Sequence, residues 1–361
     1  MEIYPLGQGH GECFRRGGRL SPIVLTAIVL AAACCATALP AQAQSIEEFY
    51  RTHPVNLVIG FPVANAYDTY GRAVARHLGK HIPGNPSVIP INRPGAGSLT
   101  AANYLYNTAP KDGSTIATFN RSVPLEPLMG NTTARFDAKK MLWLGSVGSE
   151  ASVCVAWHIA AVKNLDDLLT KDFIAGAAGM SADTGVFPQV INSVFGSKIK
   201  IITGYPGGAE MSLAMEKGEI DGRCGWSWSG VKSQKPEWLA QKQINILAQI
   251  GLQKNDEMPN VPLVLDRAKT DDQRQLLKVI FSRQEFAWPF AAPPDLPQDR
   301  RQALLTAFDA TLKDPEFLED AKKLQIDINP ISGAAVEKLI GDLYQTPDAI
   351  TTKVRAIVNP Q

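Results

Sequence analysis

Three arginines, two tryptophans and a set of small-residue loops are the parts of this 361-residue chain whose types and spacing offer chemistry. Arg93, Arg121 and Arg223 fall at or near the ends of predicted strands, where a guanidinium can pair bidentately with a carboxylate. Each serves as readily in a surface ion pair. Trp226 and Trp228 alternate within Cys224-Gly225-Trp226-Ser227-Trp228, so as strand residues they share a face, either as a ligand wall or as core aromatics. Asp68, near the start of a predicted helix, caps that helix or binds. The loops Phe61-Pro62-Val63-Ala64-Asn65 and Asn92-Arg93-Pro94-Gly95-Ala96-Gly97 each run from a strand into a helix. Such loops present backbone N–H groups and the positive helix end to one crevice, which holds an anion without needing Lys or Arg. Gly-rich turns of this kind are also simply good turns. Two more at 179–185 and 205–208 give each half of the chain a pair.

Enzyme constellations are poorly supplied. Past the first segment the histidines are His53, His77, His81 and His158, and Cys154 with His158 is the sole close Cys/His pair. No second Cys/His cluster completes a metal site, and no metal or cofactor is expected. His77 and His81 are four apart, but Gly79 between them reads as the left-handed stop of the helix, leaving a solvated helix end. Glu216, Glu219 and Asp221 belong to an ordinary helix-to-strand turn, and the sequence lacks G-x-S-x-G, H-E-x-x-H, P-loop and G-x-G-x-x-G motifs. A formal charge of +1, from 36 basic and 35 acidic side chains without a basic cluster, argues against a nucleic-acid partner.

The first segment carries Arg15, Arg16 and Arg19, an apolar run over 23–39 and then Ala41-Gln42-Ala43. That order is a secretory signal peptide over 1–43, with a membrane anchor as the alternative. Cleavage after Ala43 removes Cys13, Cys34 and Cys35 and leaves Cys154 and Cys224 in an oxidising compartment. The pair is a disulfide candidate, against two buried free thiols.

The elements that must position these residues alternate. Strands are predicted at 55–61, 87–91 and 114–119, with helices over Tyr70, Val74 and Leu78 and over Leu99, Ala102 and Leu105 between them. After Trp143 the series resumes, with strands at 151–157, 173–177, 199–203, 220–226, 244–250 and 286–291 and helices near 164–171, 187–195 and up to Glu216. The remainder from Gln298 is helical by periodicity. This spacing predicts an α/β fold with mainly parallel sheets.

Several stretches in this order resemble the extracytoplasmic substrate-binding proteins of tripartite tricarboxylate transporters, the Bug family: VIGFPVANAYDTYGRAVARHLG at 58–79, NRPGAGSLTAANYL at 92–105, APKDGSTIATF at 109–119, TGYPGGAEMSLAMEKGEIDG at 203–222, MPNVP at 258–262 and the Lys313-Asp314-Pro315-Glu316 helix. The resemblance implies a two-lobed Venus-flytrap fold of the type II periplasmic class with two interlobe crossovers, one lobe over 45–145 plus 283–361 and the other over 146–282. It implies a monomer in the periplasm that binds a small carboxylate, a di- or tricarboxylate or a relative, and hands it to membrane subunits of the transporter. Delivery to a signalling partner, or an enzyme built into the same cleft, are the alternatives. On the family pattern the ligand loops comprise Phe61, Pro62, Val63, Ala64, Asn65 and Asp68, then Asn92, Pro94, Gly95, Ala96, Gly97 and Ser98. The second lobe adds Ser181, Asp183 and Thr184, Tyr205, Gly207 and Gly208, and Trp226. Two departures stand out. Ala64-Asn65 replaces the usual Gly-Gly pair, and Asn120-Arg121 follows Phe119 where the family has Met-Gly, so Arg121 supplies a charge most relatives manage without.

Overall fold

The computed structural model describes residues 45–63, 66–180 and 182–358. The leader predicted over 1–43 lies outside them, as do Ala64, Asn65 and Ser181. In chain order the elements are α1 (Ile46–Thr52), β1 (Val55–Ile59), α2 (Ala66–Leu78), β2 (Val88–Asn92), α3 (Leu99–Asn107), β3 (Thr115–Thr118) and β4 (Leu142–Ser146). There follow β5 (Ser152–Trp157), α4 (Leu165–Thr170), β6 (Asp172–Gly176), α5 (Asp183–Phe195), β7 (Lys198–Ile202), α6 (Gly208–Glu216) and β8 (Gly222–Ser227). Then come α7 (Trp228–Gln234), α8 (Pro236–Ala240), β9 (Ile244–Ile250), α9 (Asp271–Phe281) and β10 (Pro289–Ala292). The last are α10 (Gln298–Thr311), α11 (Pro315–Lys323), β11 (Ile331–Ser332), α12 (Gly333–Tyr344) and α13 (Asp348–Val358).

Two sheets form, in the orders β11-β4-β10-β3-β1-β2 and β7-β6-β8-β5-β9. The α/β class is as expected, but neither sheet is mainly parallel. The βα units supply the parallel pairs β1 with β2 and β3, and β6 with β7 and β8. The strands that carry the chain out of one sheet and back from the other, β4, β5 and β10, pair antiparallel with their neighbours. Direction there is set by where the chain enters, which local periodicity does not encode. The chain passes from β4 to β5 and returns from β9 through α9 to β10.

Central strands β3, β4, β5 and β10 are buried along their whole length, whereas edge strand β2 alternates and keeps Pro90, a residue an edge tolerates. Under the first sheet, Tyr70, Val74 and Leu78 of α2 pack with Phe308 of α10 and Phe317 of α11. The C-terminal helix α13 packs on α5 and α9, tying the end of the chain to the helices around the second sheet. Several elements escaped the sequence reading, α1, α7, α8 and β11 among them. β4 lies where only a break between series was seen, and α9 was passed over although Thr270 caps it and Leu276, Leu277 and Ile280 give it an apolar face.

Gly79 is not a left-handed stop. It opens a tight 3-10 turn over Gly79–His81, and its lack of a side chain matters because a Cβ would stand 2.2 Å from the Pro86 carbonyl oxygen. The histidines beside it are not a solvated end either. His77 Nε2 lies 3.1 Å from Asp320 and His81 Nε2 2.9 Å from Asp314, so both dock α2 onto α11.

Candidate functional site

The parallel strands β1, β2 and β3 end together, and their loops are stitched by side chains. Ser98 Oγ donates to the Gly60 carbonyl at 3.0 Å and accepts the Asn120 N–H at 3.2 Å. Gly60 has to be glycine for this approach, since a Cβ would lie 2.6 Å from Ser98 Oγ. Asn92 Nδ2 donates to the Phe61 carbonyl at 2.9 Å and to Asp68 Oδ1 at 2.8 Å, while Arg72 donates to both Asp68 and Asn92 at 2.9 and 2.8 Å. Asp68, 3% exposed, thereby links the 61–65 loop to the end of β2. The second loop is strained. Gly95, Ala96, Gly97 and Ser98 have φ of 135°, 46°, 62° and 79°, a left-handed run that costs energy at Ala96 and Ser98 and is tolerated mostly at functional turns.

Across from these loops, the candidate residues Arg121 and Asp183 meet. Arg121 Nη2 donates to Asp183 Oδ2 and its Nη1 to Gln284 Oε1 at 3.2 Å, while Arg283 Nη1 lies 3.2 Å from Asp183 Oδ1. Two guanidiniums thus face one carboxylate in a largely buried group. Burial raises the Asp183 carboxyl, but the two arginines outweigh it and hold it below the ordinary carboxylate range. The Arg121 N–H donates to Tyr67 Oη at 3.1 Å. Burial, only partly offset by Arg121, lifts that phenol to about 12. Tyr67 stacks on Phe61 at 4.5 Å, meets Trp288 edge-on at 4.7 Å, and Trp288 stacks on Tyr70 at 4.1 Å. The result is an aromatic wall beside a buried excess of positive charge.

The second sheet presents its own edge. Thr184 Oγ1 accepts the Ala178 N–H at 3.1 Å, and the Tyr205 ring approaches Gly176. Between Cys224 and Trp226 the β5–β8 register shifts, with Gly225 at φ 83° as the extra residue. This bulge turns Trp226 onto the face of Arg223, whose guanidinium lies 3.3 Å above the indole. Trp226 and Trp228 therefore do not share a strand face. Trp228 begins α7, and its indole N–H donates to Glu257 at 2.6 Å. The helices opening at these edges, α3, α5 and α6, have no side-chain cap, whereas Asn164, Ser227, Thr270, Asp314 and Ser332 cap α4, α7, α9, α11 and α12. At α3 the Leu99 and Thr100 N–H groups are already taken by the Ala96 and Gly95 carbonyls, and at α5 Gly185 N–H donates to Ala182, so first-turn N–H groups are left for an anion at α6 more than at α3.

Elsewhere the candidates separate. Arg93 lies 3.9 Å over the Tyr104 ring of α3, a cation–π contact and not a carboxylate pair. Cys154 is joined to Cys224, cross-strand partners in β5 and β8, so a Cys154/His158 nucleophile pair cannot form. His77, Asp314 and Glu316 bring ligand atoms within 4.8 Å of one another, but Lys80 Nζ sits 2.5 Å from each carboxylate, so the chain fills that position with its own cation.

No protein-family model matches the chain. A TctC solute-binding protein from Polaromonas superposes with a TM-score of 0.66 at 17% identity over 86% of this chain and 100% of that one. The periplasmic binding protein BugD gives 0.59 at 17% identity over 85% and 98% of the two chains. The chain has the fold of the TctC and Bug solute-binding proteins. A protein of the same fold from R. palustris, solved with adipate, gives 0.59 at 16% identity over 85% and 97%. A curated relative, the UPF0065 protein in the gbd 5′ region of Cupriavidus necator, is 37% identical over 105 residues, and the match spans 29% of this chain and 30% of that protein's length.

Within this TctC/Bug fold, Tyr67, Glu150, Arg283 and Gln284 were missed by the sequence reading. Arg283 and Gln284 had a signal in their position at the return from α9 to β10, where the chain passes beside the cleft. Glu150, on the other passage, accepts from Ser229 Oγ at 2.5 Å, and its burial outweighs that bond and Arg121 to push its carboxyl above the ordinary range. Among the described residues no helix is long and apolar enough to cross a membrane.

Proposed function

We propose that the chain is a member of the TctC/Bug family that works in the periplasm, exported through the leader at 1–43. As a monomer it captures a small organic anion, a di- or tricarboxylate or a related carboxylate, and presents it to the membrane subunits of a tripartite tricarboxylate-type transporter. The observation that carries this reading is the Arg121–Asp183–Arg283 group, where two buried guanidiniums share one carboxylate beside an aromatic wall. A ligand carboxylate completes the charge balance, meeting Arg121 and the uncapped N–H groups of the surrounding loops. The residues proposed to line it are those of 61–65, 92–98, 120–121, 181–184, 205–208 and Trp226. The segments 45–145 plus 283–361 and 146–282 serve as the two lobes, and closure removes the anion from water while each lobe satisfies part of its hydrogen bonding.

The test is thermal unfolding of the purified chain against mono-, di- and tricarboxylates, with amino acids and sugars as controls. A carboxylate present at a hundred times its dissociation constant is expected to add about 2.7 kcal/mol of stability. Stabilisation by a neutral sugar, with every carboxylate silent, overturns the proposal.

A further inference from the structure

Besides holding Asp183, Arg283 lines a cavity of about 400 Å³ that no described residue of the proposed ligand loops borders. Ser122, Glu126 and Met129 of the segment after β3 form one part of its wall, and Val186 of α5, Arg283 and Val358 of α13 form the rest. The segment after β3 is fixed in place. Leu125 and Leu128 are in the core, Tyr344 Oη donates to the Pro124 carbonyl at 3.0 Å, and Arg355 Nε donates to the Leu128 carbonyl at 2.9 Å.

Two opposite charges line this space without pairing with each other. Arg283, 5% exposed, uses Nη1 on Asp183 and Nε on the Ile280 carbonyl at 3.1 Å, and among the described residues its Nη2 has no hydrogen-bond partner. Glu126 is half-buried, its Oε2 accepts Asn131 Nδ2 at 2.8 Å, and no described basic side chain forms an ion pair with it. Asn131 is held in that orientation, because its Oδ1 accepts the Thr133 N–H at 3.0 Å and the Thr133 hydroxyl at 2.7 Å. A desolvated guanidinium with an open end, and a carboxylate with no cation beside it, each cost energy that a bound group of opposite charge recovers.

We propose that this cavity is a second binding site, separate from the cleft, for a zwitterion of amino-acid size: its anionic group meets Arg283 Nη2, its ammonium meets Glu126, and its apolar part lies against Met129, Val186 and Val358. The volume is within the range of small-molecule sites, which combine apolar walls with a few placed polar groups. A purely anionic solute meets repulsion from Glu126 and a purely cationic one from Arg283, so the two charges select a molecule that carries both. Arg283 is the one member of the Arg121–Asp183–Arg283 group that borders the cavity, and the proposal is independent of what the cleft binds.

Calorimetric titration of leucine, with isocaproate and isopentylamine as analogues that keep the branched chain and one charged group each, tests the proposal on the native chain, Glu126→Gln and Thr132→Trp. Glu126→Gln removes the ammonium's partner and keeps an oxygen for Asn131. Thr132→Trp places a large ring at an exposed position of the cavity wall, where the fold tolerates it. The native chain is expected to bind leucine, and each variant to bind it at least about tenfold more weakly, the worth of a charged hydrogen bond. Isocaproate and isopentylamine, each lacking one of the two charged groups, should show no such loss between native chain and variants. Unchanged unfolding midpoints report that the variants are folded. Leucine affinity that is the same in both variants as in the native chain places leucine elsewhere and overturns the inference, as does a native chain that does not bind leucine. Either result leaves the carboxylate cleft standing, since that reading is decided by the thermal response to carboxylates.

Discussion

Arg121 and Asp183 are 62 residues apart, one in the loop after β3 and the other the first residue of α5, and their side chains form a buried ion pair joining the edges of the two sheets. Arg283 takes the other oxygen of Asp183 at 3.2 Å, so the pair is part of a triad with one positive charge to spare. That arrangement makes Asp183 the shared partner of two guanidiniums, and stability and ligand binding can both be tested there.

Asp183→Asn leaves two buried guanidiniums facing each other without a counter-charge, and urea unfolding is expected to show a loss of about 3–5 kcal/mol. Arg121→Ala leaves Asp183 still paired with Arg283 and should cost less. The ranking, read from the two midpoints, is the decisive quantity, and equal losses would mean that Arg283 does not hold Asp183 in solution.

Arg121→Ala is also expected to weaken carboxylate binding about tenfold or more, the worth of a charged hydrogen bond in a desolvated site. Unchanged affinity rejects a ligand contact at Arg121.

Glu150 supplies a pH dependence. Its folded carboxyl titrates above its unfolded value, so the folded chain holds the proton to higher pH. That contribution is fully present below the unfolded value, near 4.3, and is lost as pH rises through the folded one. Glu150→Gln keeps the uncharged form and should match the native chain at pH 4 but exceed its stability at pH 7.5. A gain of the same size at both pH values would assign the effect to packing.

The Cys154–Cys224 bridge closes a segment with a sequence separation of 70, for which chain entropy gives a stabilisation of about 4 kcal/mol. Reduction, or Cys154→Ser with Cys224→Ser, should lower the unfolding midpoint accordingly. Alkylation and mass measurement without reductant are expected to find neither thiol modified, and two alkylated cysteines would exclude the bridge.

Gly225→Ala probes the bulge. Its φ of 83° disfavours any Cβ, and that Cβ would lie 2.8 Å from the Asp183 carbonyl carbon. The expected cost is about 1–2 kcal/mol from backbone conformation alone. A displaced α5 start should also weaken carboxylate binding. An unaffected midpoint would mean that β8 carries no bulge there.

Much of the fold was legible because it is local. The apolar, β-rich runs at 55–61, 114–119 and 244–250 became β1, β3 and β9 within a residue or two, and Asn164 capped α4 as such a residue does. Where a second cause competes, the reading failed. Gly79 looked like a helix stop by type, but its reason is the nearby Pro86 carbonyl, a neighbour known only once α2 and the chain before β2 are packed.

The candidate site divides in the same way. The small-residue loops 92–97 and 205–208 and the aromatic Phe61 are visible as types in a row, since a strand feeding a helix through glycines is a property of consecutive residues. Pairing is not. That Arg121 finds Asp183 and Arg283, that Arg223 finds no carboxylate, and that a bulge at Gly225 lays Trp226 under Arg223 follow from strand order and register. Secondary structure answers to neighbours along the chain, so the sequence by itself determined the α/β elements and the small-residue loops that follow the strands. Charge partners and strand direction answer to neighbours in space, and only the packing of the two sheets decided which guanidinium meets a carboxylate and which does not.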